Sequence, residues 1–417
     1  MKNIVLQHKA ELNYLASQSY QKRVPFEQVE PYLDSNVIKL ITGPRRAGKS
    51  VFAIQILHGR NFAYLNFDDS ALLDKFDEDA VMQALAEVYP GYTHLLLDEV
   101  QNLTSWDVWV GKLKRRGVNL IITGSNARML SSEMATVLTG RYVELEMLPF
   151  SMAECMKYRG IELYPELPEA KATLMLEAEA YMQIGGFPEI TKVREIAKSY
   201  LGSLFDSIIL KDVAKRYKLR KTQDLYSLAD YLIFNYCNQL SYNDIAEGLG
   251  MGSVTTVKKF CDYLAEPYLF FYLPRFDNKL KLMKKAPKKV YIVDNGFVLA
   301  RSFELSSNKG RLLENMVFVE LMRRGYKVGD TLFYYHTQNN REIDFVLRES
   351  HVVSCLVQVS YDISNAKTRE RELKAMEEAA KELKCGNLLL ITWDTEDAVE
   401  YKGYIVKITS VKKWFLM

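Results

Sequence analysis

The sequence predicts an α/β protein of several units, and three observations carry that expectation. Between Asn36 and about Glu146, the runs VIKLIT, FAYLNF, HLLLDE, NLIITG and YVELEM alternate with helix-length segments. Short β-branched and apolar runs of this kind mark the buried strands of a parallel sheet. From about Pro149 the periodicity turns helical, broken once at Gly185, Gly186, Phe187 and Pro188, and it leads to three short helices and a strand between Asp224 and Phe276. From about Val290 strands return (VYIVD, LFYYH, IDFVL, CLVQVS, NLLLITW) around helices at Leu312 to Arg324 and Thr368 to Leu383, which reads as a second α/β domain. The expected division is an N-terminal helical segment at 1–35, a parallel-sheet core at 36–148, a helical lid at 149–222, a small helical module at 223–276, and a basic connector with the second α/β domain at 277–417.

Composition excludes several classes. A chain of 417 residues with 48% hydrophobic and 26% charged side chains has globular usage, and at roughly 150 residues per domain it holds about three domains. Its apolar stretches, such as Tyr268 to Leu273, are far shorter than a bilayer span, and the opening MKNIVLQHKAELNY has no long apolar signal region, so a cytoplasmic protein without a membrane partner is expected. Five dispersed cysteines without a CxxC argue against a disulfide framework or a zinc knuckle, and the five histidines show no metal spacing. The net charge of +3 is too small to imply polyanion binding, so such a claim must rest on local patches.

Gly43-Pro44-Arg45-Arg46-Ala47-Gly48-Lys49-Ser50 matches G-x-x-x-x-G-K-[ST], between an apolar strand ending at Thr42 and a helical run to Leu57. In that context the backbone N–H groups close around phosphate oxygens at a helix N-terminus, Lys49 bridges the β- and γ-phosphates of ATP, and Ser50 holds Mg²⁺. The strand His94 to Leu97 ends in Asp98, expected to order Mg²⁺ through water, and Glu99, expected to polarise the attacking water. After the buried strand Leu120 to Gly124, Asn126 is a contact to the γ-phosphate or attacking water, or equally a turn or N-cap residue.

GPRRAGKS, LLLDEVQNL followed by Trp106, IITGSN and LTGRYVELEMLPFS, in this order, resemble the prokaryotic AAA-type ATPases that carry a C-terminal domain of unknown function. The resemblance covers nearly the whole chain. It implies a phosphate-loop ATPase core and, in a homo-oligomer, an arginine before the fifth core strand that reaches a neighbour's γ-phosphate. Arg141 stands in that place, with Arg128 as the runner-up and an exposed structural ion pair as the alternative. Arg45 and Arg46 also belong to the family's look, with Asp68 or Asp69 as partners.

Ser241-Tyr242-Asn243-Asp244 caps a short helix, Gly250 and Gly252 make a turn, and a second helix from Ser253 buries Val254, Val257, Cys261 and Leu264. Helix, turn, helix and strand is a winged-helix pattern, which leaves Thr255, Thr256, Lys258 and Lys259 outward as duplex-DNA contacts or, alternatively, serves only packing or a protein partner. The adjoining run from Arg275 to Lys289, including Lys284 and Lys285, holds seven basic residues and one acid and would attract a phosphate backbone, or else solubilises a loop. A second basic stretch comprises Lys211, Lys215, Arg216, Lys218, Arg220 and Lys221.

In the last domain Glu314, Asp344 and the strand Leu356 to Ser360 resemble the PD-(D/E)XK nuclease core, in which a helix Glu, a strand Asp and an E-x-K strand gather Mg²⁺, a Lys and a water. Here Gln358 replaces the second strand carboxylate and Ser360 the Lys, so a degraded nuclease fold used for binding or assembly is expected, with Lys367 as the candidate substitute for the missing Lys. Three functions fit these residues: an ATPase coupled to DNA binding, a nucleotide-gated protein scaffold with slow turnover, and an ATP-dependent nuclease.

Overall fold

Five β-branched or apolar runs become five strands: β1 (Ile38–Thr42), β2 (Phe62–Asn66), β3 (His94–Asp98), β4 (Asn119–Gly124) and β5 (Tyr142–Glu146). In the computed structural model, which describes residues 1–23, 26–126, 141–301 and 308–416, they form one parallel sheet of order β2-β3-β4-β1-β5. Every residue of β1 and β3 is buried, whereas β5 at the sheet edge is mostly half-buried or exposed. That gradient follows position: central parallel strands are covered on both faces and edge strands are not. The register sets Thr42 beside both Gly124 and Glu146, so the loops leaving β1, β4 and β5 emerge along one sheet edge.

Helices α1 (Lys2–Ala16), α2 (Lys49–Ile56), α3 (Glu78–Val88) and α4 (Trp106–Arg115) complete this first unit, which comprises residues 1–149 together with 266–268. Helix α1 occupies the expected N-terminal segment and packs on β2 and α3. Trp109 of α4 meets Phe67 and Phe76 edge-on, with ring centroids 6.0 and 5.1 Å apart.

The second unit spans 150–265 and 269–417. Its helices α5 (Pro168–Ile184), α6 (Ala197–Ser207) and α7 (Thr222–Phe234) lead into α8 (Tyr242–Gly248) and α9 (Val254–Ala265). The break at Gly185 and Gly186 has a packing cause. Buried Asp294 accepts the Gly186 N–H at 2.8 Å, and a Cβ on Gly185 would lie 1.6 Å from its carboxylate. Ser241 caps α8 through the Asp244 N–H, and Val257, Cys261 and Leu264 are buried on α9. Val254 is half-buried rather than fully buried.

Strands β6 (Gln239–Leu240), β7 (Phe270–Pro274) and β8 (Lys288–Ile292) form an antiparallel sheet of order β6-β8-β7. This sheet carries the expected boundary at 276/277 inside it, because β7 and β8 lie on either side and pair along their whole length. The run VYIVD, expected to open the last domain, instead belongs largely to β8.

Helix α10 (Lys309–Arg323) precedes β9 (Leu332–His336), β10 (Glu342–Glu349), β11 (Val352–Val359), helix α11 (Ala366–Leu383), β12 (Leu388–Thr392), β13 (Asp397–Tyr401) and β14 (Tyr404–Ser410). The six strands make a mixed sheet of order β13-β14-β12-β11-β10-β9. Leu373, Met376 and Ala380 of α11 share a buried core with Leu356, Leu388 and Ile408, as the apolar stripe predicts. All five cysteines are buried and unpaired. Among the described residues no helix is long and apolar enough to cross a membrane.

Candidate functional site

Strand β1 delivers the chain to Gly43 at a point where only glycine fits. The Met147 N–H donates to the Thr42 carbonyl at 2.7 Å, and a Cβ on Gly43 would sit 2.1 Å from the Met147 carbonyl oxygen. Gly48 then takes the left-handed conformation (φ 93°) as N-cap of α2, and Ala47 closes the turn by donating to the Pro44 carbonyl at 3.3 Å. Buried Arg23 donates to the carbonyls of Ala47 and Leu148 at 2.9 and 2.7 Å, strapping the loop from a segment in which no motif pointed to it.

Four expected site residues converge here. The Lys49 ammonium is buried, donates to the Pro44 carbonyl at 3.0 Å and lies 3.4 Å from a Glu99 carboxylate oxygen. The Ser50 hydroxyl donates to Asp98 at 2.9 Å. Asp98 also accepts from the Thr123 and Tyr64 hydroxyls, the latter at 3.2 Å. Burial, reinforced by the neighbouring Glu99, pushes the Asp98 carboxyl up to about 6. Burial works the same way on Glu99, but the Lys49 ammonium, Gln101 and Arg45 outweigh it and hold Glu99 below the usual range. Two adjacent carboxylates are thereby driven apart by their surroundings.

Glu99 itself has φ 52°, an uncommon conformation for a side chain of its size, and its N–H donates to Thr123 at 3.1 Å. Its carboxylate accepts from Gln101 at 2.5 Å and Ser125 at 3.1 Å. Thr123, Gln101 and Tyr64 carry no local sequence signal for this role, because each touches the acids only across strands or around a turn. Arg45 pairs with Asp68 at 3.6 Å, whereas Asp69 caps the short helix Ser70–Asp74 and meets His8 at 3.1 Å.

The donor set fits a nucleotide phosphate with Mg²⁺: an ammonium and a left-handed glycine turn at a helix N-terminus, beside a hydroxyl and a carboxylate already in contact. Asn126 is fully buried, and its amide donates to Glu266 at 3.3 Å, a partner the sequence did not suggest. Arg141 is exposed immediately before β5, where its carbonyl accepts the Ile38 N–H at 3.1 Å. Arg128 lies outside the described residues.

On α9 the side chains of Thr255, Lys258 and Lys259 are exposed, as are Lys284 and Lys285 on a short helix between β7 and β8. The Thr256 hydroxyl is engaged with Ser253 at 3.0 Å, so it serves the helix start. Lys258 and Lys259 lie over the rings of Tyr242 and Tyr263, at 5.5 and 5.6 Å. Lys289 departs from expectation. Placed by sequence at the end of an exposed basic run, it is buried, with its ammonium 2.7 Å from Glu314, 2.7 Å from Glu342 and 3.5 Å from Asp344. Alternation along β8 puts Tyr291 on the same face, and its hydroxyl donates to Glu314 at 2.7 Å.

The expectation that the last domain's acids lack a cation is therefore corrected: Lys289 supplies it from a different sheet. Neither Ser360, whose hydroxyl donates to the Asp362 carbonyl at 3.3 Å, nor exposed Lys367 takes that place. Gln358 accepts the Asp344 backbone N–H at 3.2 Å and donates to the Glu372 carboxylate at 2.9 Å. Burial, with Glu314 beside it, pushes Asp344 well above the usual carboxylate range. His336 is a satisfied strand histidine, 3.0 Å from both Asn340 and Glu342. No group of three or more acids, histidines or cysteines among the described residues is arranged to hold a metal ion.

Comparison with known proteins gives a family model described as an AAA domain over residues 35–156, and two domains of unknown function, DUF8612 over 175–307 and DUF4143 over 309–414. The chain is 34% identical over 406 residues to an uncharacterized protein of Methanocaldococcus jannaschii, covering 93% of this chain and 90% of that protein. It is 30% identical over 407 residues to an uncharacterized protein of Haemophilus influenzae, covering 94% and 97%. Among solved structures, a Walker-type ATPase of Pyrococcus abyssi aligns at 14% identity and a TM-score of 0.45, over 69% of this chain and 99% of that one.

Proposed function

We propose, for a chain that belongs to the same family as those two uncharacterized proteins and carries an AAA-type ATPase-like domain, that it binds ATP with Mg²⁺, hydrolyses it, and couples the cycle to duplex DNA. The observation that carries this reading is the convergence of Lys49, Ser50, Asp98 and Glu99 at the end of the parallel sheet. Bound Mg²⁺ supplies charge neutralisation for the phosphates. Gly43 to Gly48 present backbone N–H groups to the phosphates, and Lys49 turns from Glu99 toward the β- and γ-phosphates. Glu99, released from that ion pair and thereby a stronger base, accepts a proton from the attacking water, while Asp98 and Ser50 hold the metal. Arg141 acts on the site of a neighbouring subunit in a homo-oligomer. Measuring ATP turnover with and without duplex DNA while following oligomer size tests the reading. Turnover per subunit is expected to rise with protein concentration and with DNA, and a monomer whose turnover ignores both would leave no place for Arg141 or the DNA-binding module.

Helices α8 and α9 and the antiparallel sheet support a winged-helix reading, with α9 presenting Thr255, Lys258 and Lys259 to the major groove and Lys284 and Lys285 to the flanking backbone. Phosphate neutralisation releases counterions, so affinity falls steeply with salt. Replacing Lys258 and Lys259 by Ala is expected to flatten the slope of log affinity against log salt by about two contacts' worth, read by fluorescence anisotropy of a labelled duplex. An unchanged slope would remove α9 from the interface.

A further inference from the structure

We propose that Glu266 is a nucleotide-state latch on Asn126, holding its side-chain amide when no γ-phosphate is present and giving it up when ATP arrives. The inference rests on the reading of the phosphate site given above and adds to it a positioning residue from a distant part of the sequence. A line of contacts leads from the phosphate loop to the latch: Lys49 to Glu99 at 3.4 Å, Glu99 to the Ser125 hydroxyl at 3.1 Å, then the next residue, Asn126, to half-buried Glu266 at 3.3 Å. Asn126 follows β4, which lies between β1 and β3, the strands that end in the phosphate loop and in Asp98.

Glu266 is held at this place by its neighbours. Although 140 residues from Asn126 in sequence, the three residues Glu266–Tyr268 group with the first unit while the chain on either side belongs to the second. Tyr268 is 3% exposed and adopts φ 62°. An aromatic residue in the left-handed region persists only where surrounding packing over-determines it. This short peptide thereby meets the residue that follows β4.

The electrostatics make the two states exclusive. An Asn amide can donate to a carboxylate or to a phosphate oxygen with similar geometry. A carboxylate and a γ-phosphate brought to the same amide donor compete for its N–H and repel one another at that short range. ATP therefore displaces Glu266 from Asn126. Because residue 265 is the last of α9, displacement acts on the helix that carries Lys258 and Lys259.

The test uses the full-length chain, with Glu266→Ala removing the acceptor and Glu266→Gln keeping an oxygen acceptor without the charge. A charge-assisted hydrogen bond lost only from the ATP-free state shifts the balance toward ATP, so half-saturating ATP is expected to fall roughly ten-fold in Glu266→Ala, with a smaller fall in Glu266→Gln. Hydrogen–deuterium exchange across 254–265 is expected to rise on adding ATP to the wild type and to be high and ATP-insensitive in Glu266→Ala. ATP hydrolysed by the wild type and Glu266→Ala with equal half-saturation and equal exchange responses overturns the latch while leaving the phosphate site intact. Failure of the wild type to bind ATP at all overturns the phosphate-site reading and the latch with it.

Discussion

Lys49→Ala is expected to abolish saturable ATP binding, whereas Glu99→Gln should retain ATP and lose about 10² to 10⁴-fold in turnover. The difference follows from what each side chain touches. Lys49 is the buried ammonium beside the phosphate loop, already bonded to its own Pro44 carbonyl. Glu99 lies 3.4 Å from that ammonium and needs its charge only to take a proton from water. In Glu99→Gln the amide can still bond Ser125, so the fold of the site should survive. Calorimetric ATP titration and single-turnover hydrolysis separate the two effects. Comparable ATP affinity in wild type and Lys49→Ala would sink the assignment of the phosphate loop.

The second large effect concerns the buried ion centre of the last domain. Lys289→Met should destabilise the second unit by about 3 to 5 kcal/mol, because removing the ammonium leaves the Glu314 and Glu342 carboxylates, each 2.7 Å from it, without their counter-charge. A second substitution, Glu314→Leu, should recover part of that loss, since replacing both partners by apolar groups removes the charge as well as its partner. Thermal unfolding followed by circular dichroism reads both. A melt unchanged by Lys289→Met would show that the ammonium contributes nothing to stability there. The same contacts bear on cleavage. With the ammonium directly bonded to three carboxylates and neutral Gln358 in the second acidic position, we expect no nicking of supercoiled plasmid by the purified protein with Mg²⁺ or Mn²⁺ and ATP. Nicking that disappears in Asp344→Ala would assign Lys289 an active role in place of a structural one.

Much of the first unit was legible because its signals are local. The phosphate loop needs Gly43, Gly48, Lys49 and Ser50 within eight consecutive positions, and a buried strand ending in Asp98 and Glu99 shows itself as an apolar run closed by two acids. Periodicity likewise gave the strands of the sheet and the buried side of α9 without reference to distant residues. Arg45 meeting Asp68 needed only two nearby motifs to be considered together.

Long-range partners had no such signature. Lys289 sits within a run of lysines, and nothing in its neighbours separates the one that is buried from those that are exposed. Its fate depends on β8 pairing with β7 and on α10 and β10 bringing Glu314, Glu342 and Asp344 to the same face. Arg23 and Glu266 are similar cases, each meeting its partner across 24 or more positions of sequence. A charged side chain in an amphipathic pattern reads as solvated by default, since burying it is costly unless counter-charges arrive from elsewhere in the chain. Local spacing thus encodes the elements and the motifs they carry, while the pairing of distant strands decides which polar groups leave water, because that choice turns on partners that meet only after the chain has folded.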